Sequence, residues 1–389
     1  MQSAACRSCN SSLQKSMQLT ALSAVKHRIR VGEPLPFNVR NADRTLLLAR
    51  GQHVGTTEQL EALFDRGALV DMAELQSEQE RLRQMPRDQL PQRWASCLNR
   101  VSQTLLHAPH HDFRNALQEA ATPVVALIER DPDLAIFQVL RNEGGEHVAY
   151  GARRSLNCAI TAYLVAQRLG WDSEAMERVF KVALTMNISM LELQGELARQ
   201  RTPLSESQRA ELQSHPTRSV QLLELSGVND ADWLRAVAQH HEQEDGSGYP
   251  TGCSDVSDLA SLARRADIYT AKLAARSHRD AIAADLAGRQ MFMEDPGHPM
   301  TAALVKEFGI YPPGCCVRLA SGAAGVVVER GSMVTTPIVA CLTGPNGVTL
   351  AAPVRVDTSQ REYAVVGVVG ERSINVRVTA EKLMALTLR

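Results

Sequence analysis

The sequence predicts a multidomain α+β protein, with a central all-α helical bundle flanked by a small N-terminal α+β module and a C-terminal β-rich domain. The chain has 389 residues, enough for two to four domains. Apolar residues at helical spacing run almost unbroken through residues 146–308. Beyond Gly309 the composition changes to short valine-rich runs separated by glycine. A hydrophobic content of 44% with 22% charged residues is typical of a globular protein.

The N-terminal part of the chain predicts a flexible tail followed by the α+β module. Residues 1–16 are rich in serine and carry a lone C-x-x-C pair, Cys6 and Cys9. A zinc knuckle would need two more ligands at close spacing, so a flexible tail is the preferred interpretation. Residues 17–76 contain one helix, which begins at the capping box Thr56–Gln59 and extends to about residue 65. The predicted strands of this module cover residues 29–31, 35–39, 45–48 and 68–71.

The rest of the chain divides into three predicted regions. Residues 77–145 are helical and charged and form a connector. Residues 146–308 form the all-α bundle. Residues 309–389 form the β-rich domain, in which short β runs such as 325–328 alternate with glycine turns. The change of composition at residue 309 therefore marks the last predicted boundary.

Charge and hydropathy argue against two classes of partner. The formal net charge is −1, which disfavours a protein that binds nucleic acid mainly by electrostatic attraction. No stretch approaches the ~18 consecutive apolar residues of a membrane span. The first residues lack an apolar segment followed by a cleavage site, so no secretory signal is predicted. We therefore expect a cytoplasmic protein with no nucleic-acid and no membrane partner.

The most informative stretch runs from His240 to Pro250 and reads HHEQEDGSGYP. A helix that Asn229 and Asp230 can cap, and that is predicted to reach about Glu244, brings both histidines of this stretch near its apolar face. The Asp-Gly-Ser-Gly segment then breaks the helix, and the proline stiffens the exit from the turn. Two adjacent inward histidines beside a rigid turn suit a metal or phosphate site. A pair of hydrogen-bonded core histidines is the alternative.

This stretch resembles, position by position, the HHE-x-x-DG-x-GYP signature of the HD-GYP family. Members of that family are metal-dependent bacterial phosphohydrolases that open cyclic di-GMP. The resemblance covers residues 146–308 and implies an HD-GYP-like helical bundle. Its facing helices supply histidine and aspartate ligands to two or three metal ions, often iron or manganese. Such metals lower the pKa of a bound water and clamp the phosphate that is attacked.

Four candidate metal ligands of the family's pattern are present. His215, followed by Pro216, matches a His-Pro motif after a helix that is predicted to run from Ser205 to about Gln213, and the proline predicts a bend that orients the ring. His240 and His241 match the two histidines of the signature. Asp267 lies on an apolar helix stripe, so its carboxylate is expected to point toward the core and to need a cation, a metal or strong hydrogen bonds. For this aspartate a salt bridge to a core arginine is the alternative.

Other positions of the family's pattern carry residues that cannot do the same chemistry. The family's His-Asp pair falls on Met186 and Asn187, the lysine after it on Met190, and an earlier histidine on Arg154. A thioether is a poor ligand for hard, oxygen-loving metals. Asparagine is neutral and cannot supply the carboxylate that bridges two metals. The resemblance is therefore to a degenerate member of the family.

These losses predict a domain that holds either one divalent ion, iron or manganese, or none. We expect a bacterial signalling protein that acts as a non-catalytic sensor or interaction module, with cyclic di-GMP, a related nucleotide or another signalling protein as partner. The alternative is an active metal-dependent phosphohydrolase, a cyclic di-GMP phosphodiesterase, with a rearranged metal site. A purely structural scaffold would have a plugged site with no cavity near Asp267. The residues expected at the ligand site are Asp245, Gly246, Gly248, Tyr249, Pro250 and Arg264.

Overall fold

The structure is a computed structural model that describes residues 18–75, 78–141, 147–275, 277 and 281–370. The chain forms two compact units, Met1–Gln84 and Met85–Arg389. The predicted tail at residues 1–16 lies outside the described residues. The other predicted domain boundaries stay predictions.

The first unit is built on a four-stranded antiparallel sheet with the strand order β1-β4-β2-β3. Phe37, Val39 and Val70 lie in its buried core. The helix that follows the third strand begins where Thr56 accepts a hydrogen bond from the backbone N–H of Gln59, as the capping pattern predicts. Its elements are β1 (Leu19–Ala21), β2 (Val39–Arg40), β3 (Leu46–Leu48), α1 (Thr57–Asp65), β4 (Leu69–Asp71), α2 (Met72–Leu75) and α3 (Glu78–Gln84), with a 3-10 helix at Leu22–Arg28.

One strand predicted in this unit is wrong and another is shorter than predicted. Residues 29–31 follow the 3-10 helix and enter a turn at Gly32, whose φ of +87° suits glycine. The run 35–39 forms a strand only from Val39 onward, since Pro36 has no N–H to donate to a sheet. Local β propensity was therefore overridden by the turn and by the proline.

The helical part of the second unit is centred on one long helix, α7. It packs against α8, α9 and α12. The helices are α4 (Leu90–Leu106), α5 (Phe113–Arg130), α6 (Pro132–Leu140), α7 (His147–Leu169), α8 (Ser173–Thr185), α9 (Leu191–Arg199), α10 (Glu206–Leu225), α11 (Ala231–Gln239), α12 (Asp258–Leu273), α13 (Ala284–Glu294) and α14 (Pro299–Phe308). Short 3-10 helices lie at Arg87–Gln89, Ile188–Met190 and Arg361–Tyr363.

The close approach of α7 to α9 depends on one glycine. A Cβ at Gly151 would lie 2.3 Å from the carbonyl oxygen of Leu191, closer than atoms can approach. Glycine therefore lets the two helix backbones touch at this point. The contact brings the first turns of α7 beside those of α9.

The second unit ends in a five-stranded antiparallel sheet with the strand order β8-β7-β6-β5-β9. The strands are β5 (Cys316–Leu319), β6 (Ala324–Glu329), β7 (Ile338–Thr343), β8 (Thr349–Asp357) and β9 (Val365–Val368). The structure thus confirms a mostly helical chain with two small antiparallel sheets. Within the described residues, no helix combines the length and the apolar character needed to cross a membrane.

Candidate functional site

His215 lies inside α10, and the proline beside it determines how its ring is held. The predicted helix end near residue 213 is wrong, because α10 continues through Pro216 to Leu225. Proline has no N–H, so the carbonyl of Leu212 lacks its usual helical donor at position 216. The Nδ1 atom of His215 lies 2.6 Å from that carbonyl oxygen and replaces the missing donor.

His240 is held in the same way at the end of α11. Asp230 caps the start of this helix as predicted, but the helix ends at Gln239 and not near Glu244. The Nδ1 atom of His240 lies 2.7 Å from the carbonyl oxygen of Val237. The ring of His240 is fully buried.

His215, His240 and His241 form a cluster whose potential ligand atoms lie within 4.8 Å of one another. In His215 and His240 the hydrogen must sit on Nδ1, since each Nδ1 faces a carbonyl oxygen that only accepts. Their Nε2 atoms therefore both present lone pairs, yet they lie 3.0 Å apart. One cation between or beside the two atoms would satisfy both lone pairs.

A divalent metal ion is a better candidate for this cation than a proton. Burial, and after it the charge of a neighbouring histidine, lowers the pKa of each of the three histidines from 6.5 to about 3. The rings are therefore neutral at pH 7, which is the form that binds metal. Three neutral imidazoles in contact can hold one ion at the usual metal–nitrogen distance of about 2.0–2.1 Å.

Asp267, the predicted fourth ligand, does not belong to this cluster. Its Oδ1 atom accepts a hydrogen bond of 2.7 Å from Nη2 of Arg154, and the arginine is buried. This ion pair joins α12 to α7. The salt bridge raised as the alternative for Asp267 is thus the contact that forms, and a role for Asp267 in metal binding stays a prediction.

Two of the positions at which the sequence departs from the family's pattern, Met186 and Asn187, lie at the end of α8. Met186 is fully buried and ends that helix, and Asn187 is 2% exposed. The Oδ1 atom of Asn187 has no hydrogen-bond partner among the described residues. A buried neutral amide here supplies no negative charge to a second ion.

A cleft of about 590 Å³ adjoins the histidine cluster. His215 and His241 form part of its wall, and so do Arg154 and Asp267. Met190, which occupies the family's lysine position, lines it as well. The plugged site that a purely structural scaffold predicts near Asp267 is therefore not what the structure has.

The signature loop, residues 242–252, is held against the cleft by a residue that sequence reasoning missed. The buried carboxylate of Glu242 accepts hydrogen bonds from the backbone N–H and the hydroxyl of Thr251 and from the N–H of Gly252. A Cβ at Gly248 would lie 2.4 Å from Cα of Glu242, so only glycine fits there. The sequence feature that could have indicated Glu242 is its place directly after two histidines that are predicted to point inward.

The predicted ligand residues of this loop divide into two groups. Tyr249 lines the cleft and stacks on the ring of His241, with the ring centroids 4.6 Å apart. Asp245 is exposed, and its carboxylate accepts from the N–H and hydroxyl of Ser247, which makes it a turn residue. Gly246 has a φ of +75°, and Pro250 is exposed.

Arg264 also lies outside the cleft. It donates a hydrogen bond of 2.8 Å to the side chain of Gln243. Together with Asp245 it lines a second cavity of about 480 Å³. The structure therefore brings Tyr249 to the histidine cluster but does not bring Arg264 or Asp245 into the same cleft.

Tyr150 and Gln194 are two further cleft residues that sequence reasoning missed. Both carry an enclosed polar side-chain atom that has no hydrogen-bond partner in the part of the chain that the structure describes, Oη of Tyr150 and Oε1 of Gln194. Tyr150 lies one helical turn before Arg154 on the same face of α7, a spacing that the sequence contained.

Comparison with known proteins finds relatives of this region. Residues 145–291 match a protein family described as the HD domain. The cyclic di-GMP phosphodiesterase PA4108 of Pseudomonas aeruginosa is 36% identical over 129 residues, which are 32% of this chain and 31% of that protein. The chain thus matches less than a third of that relative's length. A solved structure, Bd1817, a HDG"Y"P protein from Bdellovibrio bacteriovorus, is similar with 17% identity and a TM-score of 0.48, over 74% of this chain and 98% of that chain.

Proposed function

We propose that this chain, whose residues 145–291 match the HD domain family and which is similar to an HD-GYP-type phosphodiesterase, binds cyclic di-GMP or a related nucleotide without normal phosphodiesterase turnover. The bound nucleotide acts as a signal and not as a substrate. The observation that carries this proposal is the cleft of about 590 Å³ beside three clustered histidines, in a chain that has Asn187 at the bridging-ligand position.

The chemical reason concerns the number of metal ions. Opening a phosphodiester requires an activated water and stabilisation of charge on the attacked phosphate and on the leaving oxygen. When bound, a pair of metal ions supplies both. The three histidines fit one ion, Asp267 is engaged by Arg154, and Asn187 adds no charge. We therefore expect at most one tightly bound divalent ion, iron or manganese, per chain.

The alternative is an active phosphohydrolase with a rearranged site. One observation favours it: His215, His240 and His241 remain close enough to hold an ion. A single divalent ion lowers the pKa of its bound water and can support hydrolysis.

Binding and turnover can be measured on the same purified protein. Calorimetry with cyclic di-GMP measures binding, and chromatography of the reaction mixture measures conversion to the linear dinucleotide or GMP. Elemental analysis counts the metal ions. We expect binding, no more than one ion per chain, and hydrolysis no faster than in the control variant with His240→Ala and His241→Ala.

Two outcomes would reject the proposal in different directions. Metal-dependent hydrolysis that disappears in the histidine variant would establish the phosphohydrolase. Neither binding nor hydrolysis would leave an interaction module whose partner is another signalling protein.

A further inference from the structure

Arg154 occupies a position in the cleft at which a bound anion would meet a fixed positive charge. The side chain is 7% exposed and lines the cleft. Among the described residues, its one side-chain hydrogen bond runs from Nη2 to Asp267, and Nε has no partner there. The guanidinium is almost completely buried, yet some of its N–H donors make no hydrogen bond within the described residues. A buried arginine with unused donors matches the oxygens of a phosphate, because its planar fork presents several N–H groups at once.

The charges around the cleft favour an anion even without a metal ion. Among the described residues that line it, the charged ones are Arg154, Arg201 and Asp267. Two arginines against one aspartate give these charged side chains a net positive charge. Arg201 is exposed and follows α9. Two arginines at one cleft suit a ligand with two phosphodiester groups.

The unpartnered atoms around Arg154 also indicate the class of ligand. Oη of Tyr150 and Nε of Arg154 can donate, whereas Oε1 of Gln194 can only accept. Each of these residues lines the cleft, and a buried polar atom without a partner costs about 1–3 kcal/mol. A ligand that satisfies them must offer both acceptors and donors. A nucleotide does so, with acceptors on its phosphate and N–H donors on its base, whereas inorganic phosphate offers mainly acceptors.

The fold holds these three residues together. Tyr150 and Arg154 stand one turn apart on α7, and Gly151 between them permits the backbone contact with Leu191. Gln194 lies three residues further along α9, on the helix that this contact brings close. The group is thus positioned by two packed helices and not by a mobile loop.

We infer that Arg154 binds a phosphate of a phosphodiester nucleotide directly, so that the nucleotide enters the cleft without needing a metal ion. This inference rests on the proposed nucleotide-binding function and names the group that holds the ligand. Arg154 takes the position of a metal-ligating histidine in the family's pattern, so a fixed guanidinium replaces part of the positive charge that a metal would bring. Arg201 supplies the second charge at the same cleft.

The test is calorimetric binding of cyclic di-GMP to the full chain, with EDTA and with added Mn²⁺. We expect the same affinity within about threefold in both conditions. Replacing the buried pair together, Arg154→Met with Asp267→Leu, avoids leaving a lone buried charge and keeps the protein folded. This double variant should bind at least about tenfold more weakly, because a charge-assisted contact to phosphate is lost. Arg201→Ala should weaken binding less, and Arg153→Ala, a neighbour that does not line the cleft, should not change it.

The outcomes separate this inference from the proposed function. Binding that EDTA abolishes would show that a metal and not Arg154 holds the phosphate, and the proposed function would stand while the inference fails. Wild-type affinity in the double variant would overturn the inference in the same way. No binding by the wild-type chain in either condition would reject the proposed function itself. Competition by inorganic phosphate as strong as by cyclic di-GMP would reject the nucleotide class.

Discussion

At the scale of single residues, the histidine cluster depends on which ring nitrogen carries the hydrogen. The carbonyls of Leu212 and Val237 fix that hydrogen on Nδ1 of His215 and His240. The two Nε2 atoms are then held 3.0 Å apart with their lone pairs facing. The two backbone carbonyls therefore leave both Nε2 lone pairs available to a single cation.

The neutral state of these histidines predicts a loss of stability in acid. Burial is the main cause that lowers the pKa of His215, His240 and His241 from 6.5 to about 3. Between those pH values the unfolded chain binds protons that the folded chain does not, so stability is present above pH 6.5 and is lost as the pH falls. We expect the free energy of unfolding to decrease by about 1.4 kcal/mol per pH unit for each of these histidines. Urea unfolding with EDTA at pH 7.5 and 5.5 measures the decrease.

A pair of variants shows whether the cluster causes this slope. His240→Leu removes a fully buried imidazole and should make the pH dependence shallower. His110→Leu replaces an exposed histidine and should leave it unchanged. Equal slopes in the two variants would mean that other groups cause the acid sensitivity.

Asp267 offers a second prediction at this scale. Asp267→Ala leaves the buried guanidinium of Arg154 without its counter-charge, which should cost about 3–5 kcal/mol of stability. Thermal unfolding should show the same fall with added metal and with EDTA, since the loss comes from the ion pair.

Asp255→Ala is the matched control. Asp255 also pairs with an arginine, Arg235, at 2.8 Å, but its side chain is 93% exposed. Its removal should cost about 0–1 kcal/mol. If the loss in Asp267→Ala appeared only when metal is present, Asp267 would be a metal ligand after all.

At the scale of elements, helix starts could be predicted more reliably than helix ends. The capping residues Ser205 and Asp230 each act within one turn, so the sequence contains the whole signal. The continuation of α10 through Pro216 depends on a side chain that replaces the missing backbone donor. The helix α11 ends earlier than predicted, and the loop after it is held by Glu242. This buried carboxylate accepts hydrogen bonds from residues nine and ten positions away, so the signal is not local.

The three histidines could be predicted because the signature and the His-Pro motif are local patterns. A salt bridge from Asp267 to a core arginine was an alternative, but its partner Arg154 could not be predicted, since the two residues are 113 positions apart and no local spacing links them. The same holds for Gln194, whose position beside the cleft follows from the packing of α9 on α7. Site residues that reach the cleft through the packing of distant helices therefore cannot be predicted from local sequence patterns.

Pro216 gives a prediction about one element. Pro216→Ala supplies an N–H for the carbonyl of Leu212, which then no longer needs Nδ1 of His215. We expect a higher melting temperature, because a proline inside a helix costs about 3 kcal/mol. We also expect weaker metal binding, because the ring of His215 loses the bond that orients it.

Competition between the protein and a metal-sensitive dye would measure the affinity for Mn²⁺, and thermal unfolding would measure the stability. Ser214→Ala, an exposed neighbour on the same helix, should alter neither quantity much. An unchanged metal affinity in Pro216→Ala would show that packing alone orients His215.

At the scale of the whole molecule, the C-terminal sheet belongs to the same compact unit as the helices. Arg330, just after β6, forms an ion pair with Asp133 at the start of α6. It also pairs with Glu307 on α14, at 3.0 Å. Glu307 is further paired with Arg168 on α7. Arg330 thus links the sheet to α6 and to α14, and α14 is linked in turn to the central helix α7.

Arg330→Ala should therefore loosen the sheet from the helices and leave the histidine cluster in place. The change removes hydrogen bonds between charged groups, and we expect a loss of about 2 kcal/mol, because Glu307 keeps Arg168 as a partner. Amide hydrogen exchange should become faster in β5 to β7, while α10 and α11 exchange as in the wild type. Arg318→Ala changes an exposed side chain of β5, so it should not uncouple the sheet from the helices. Equal acceleration of exchange in the sheet and in α10 and α11 would mean that the unit unfolds as a single body.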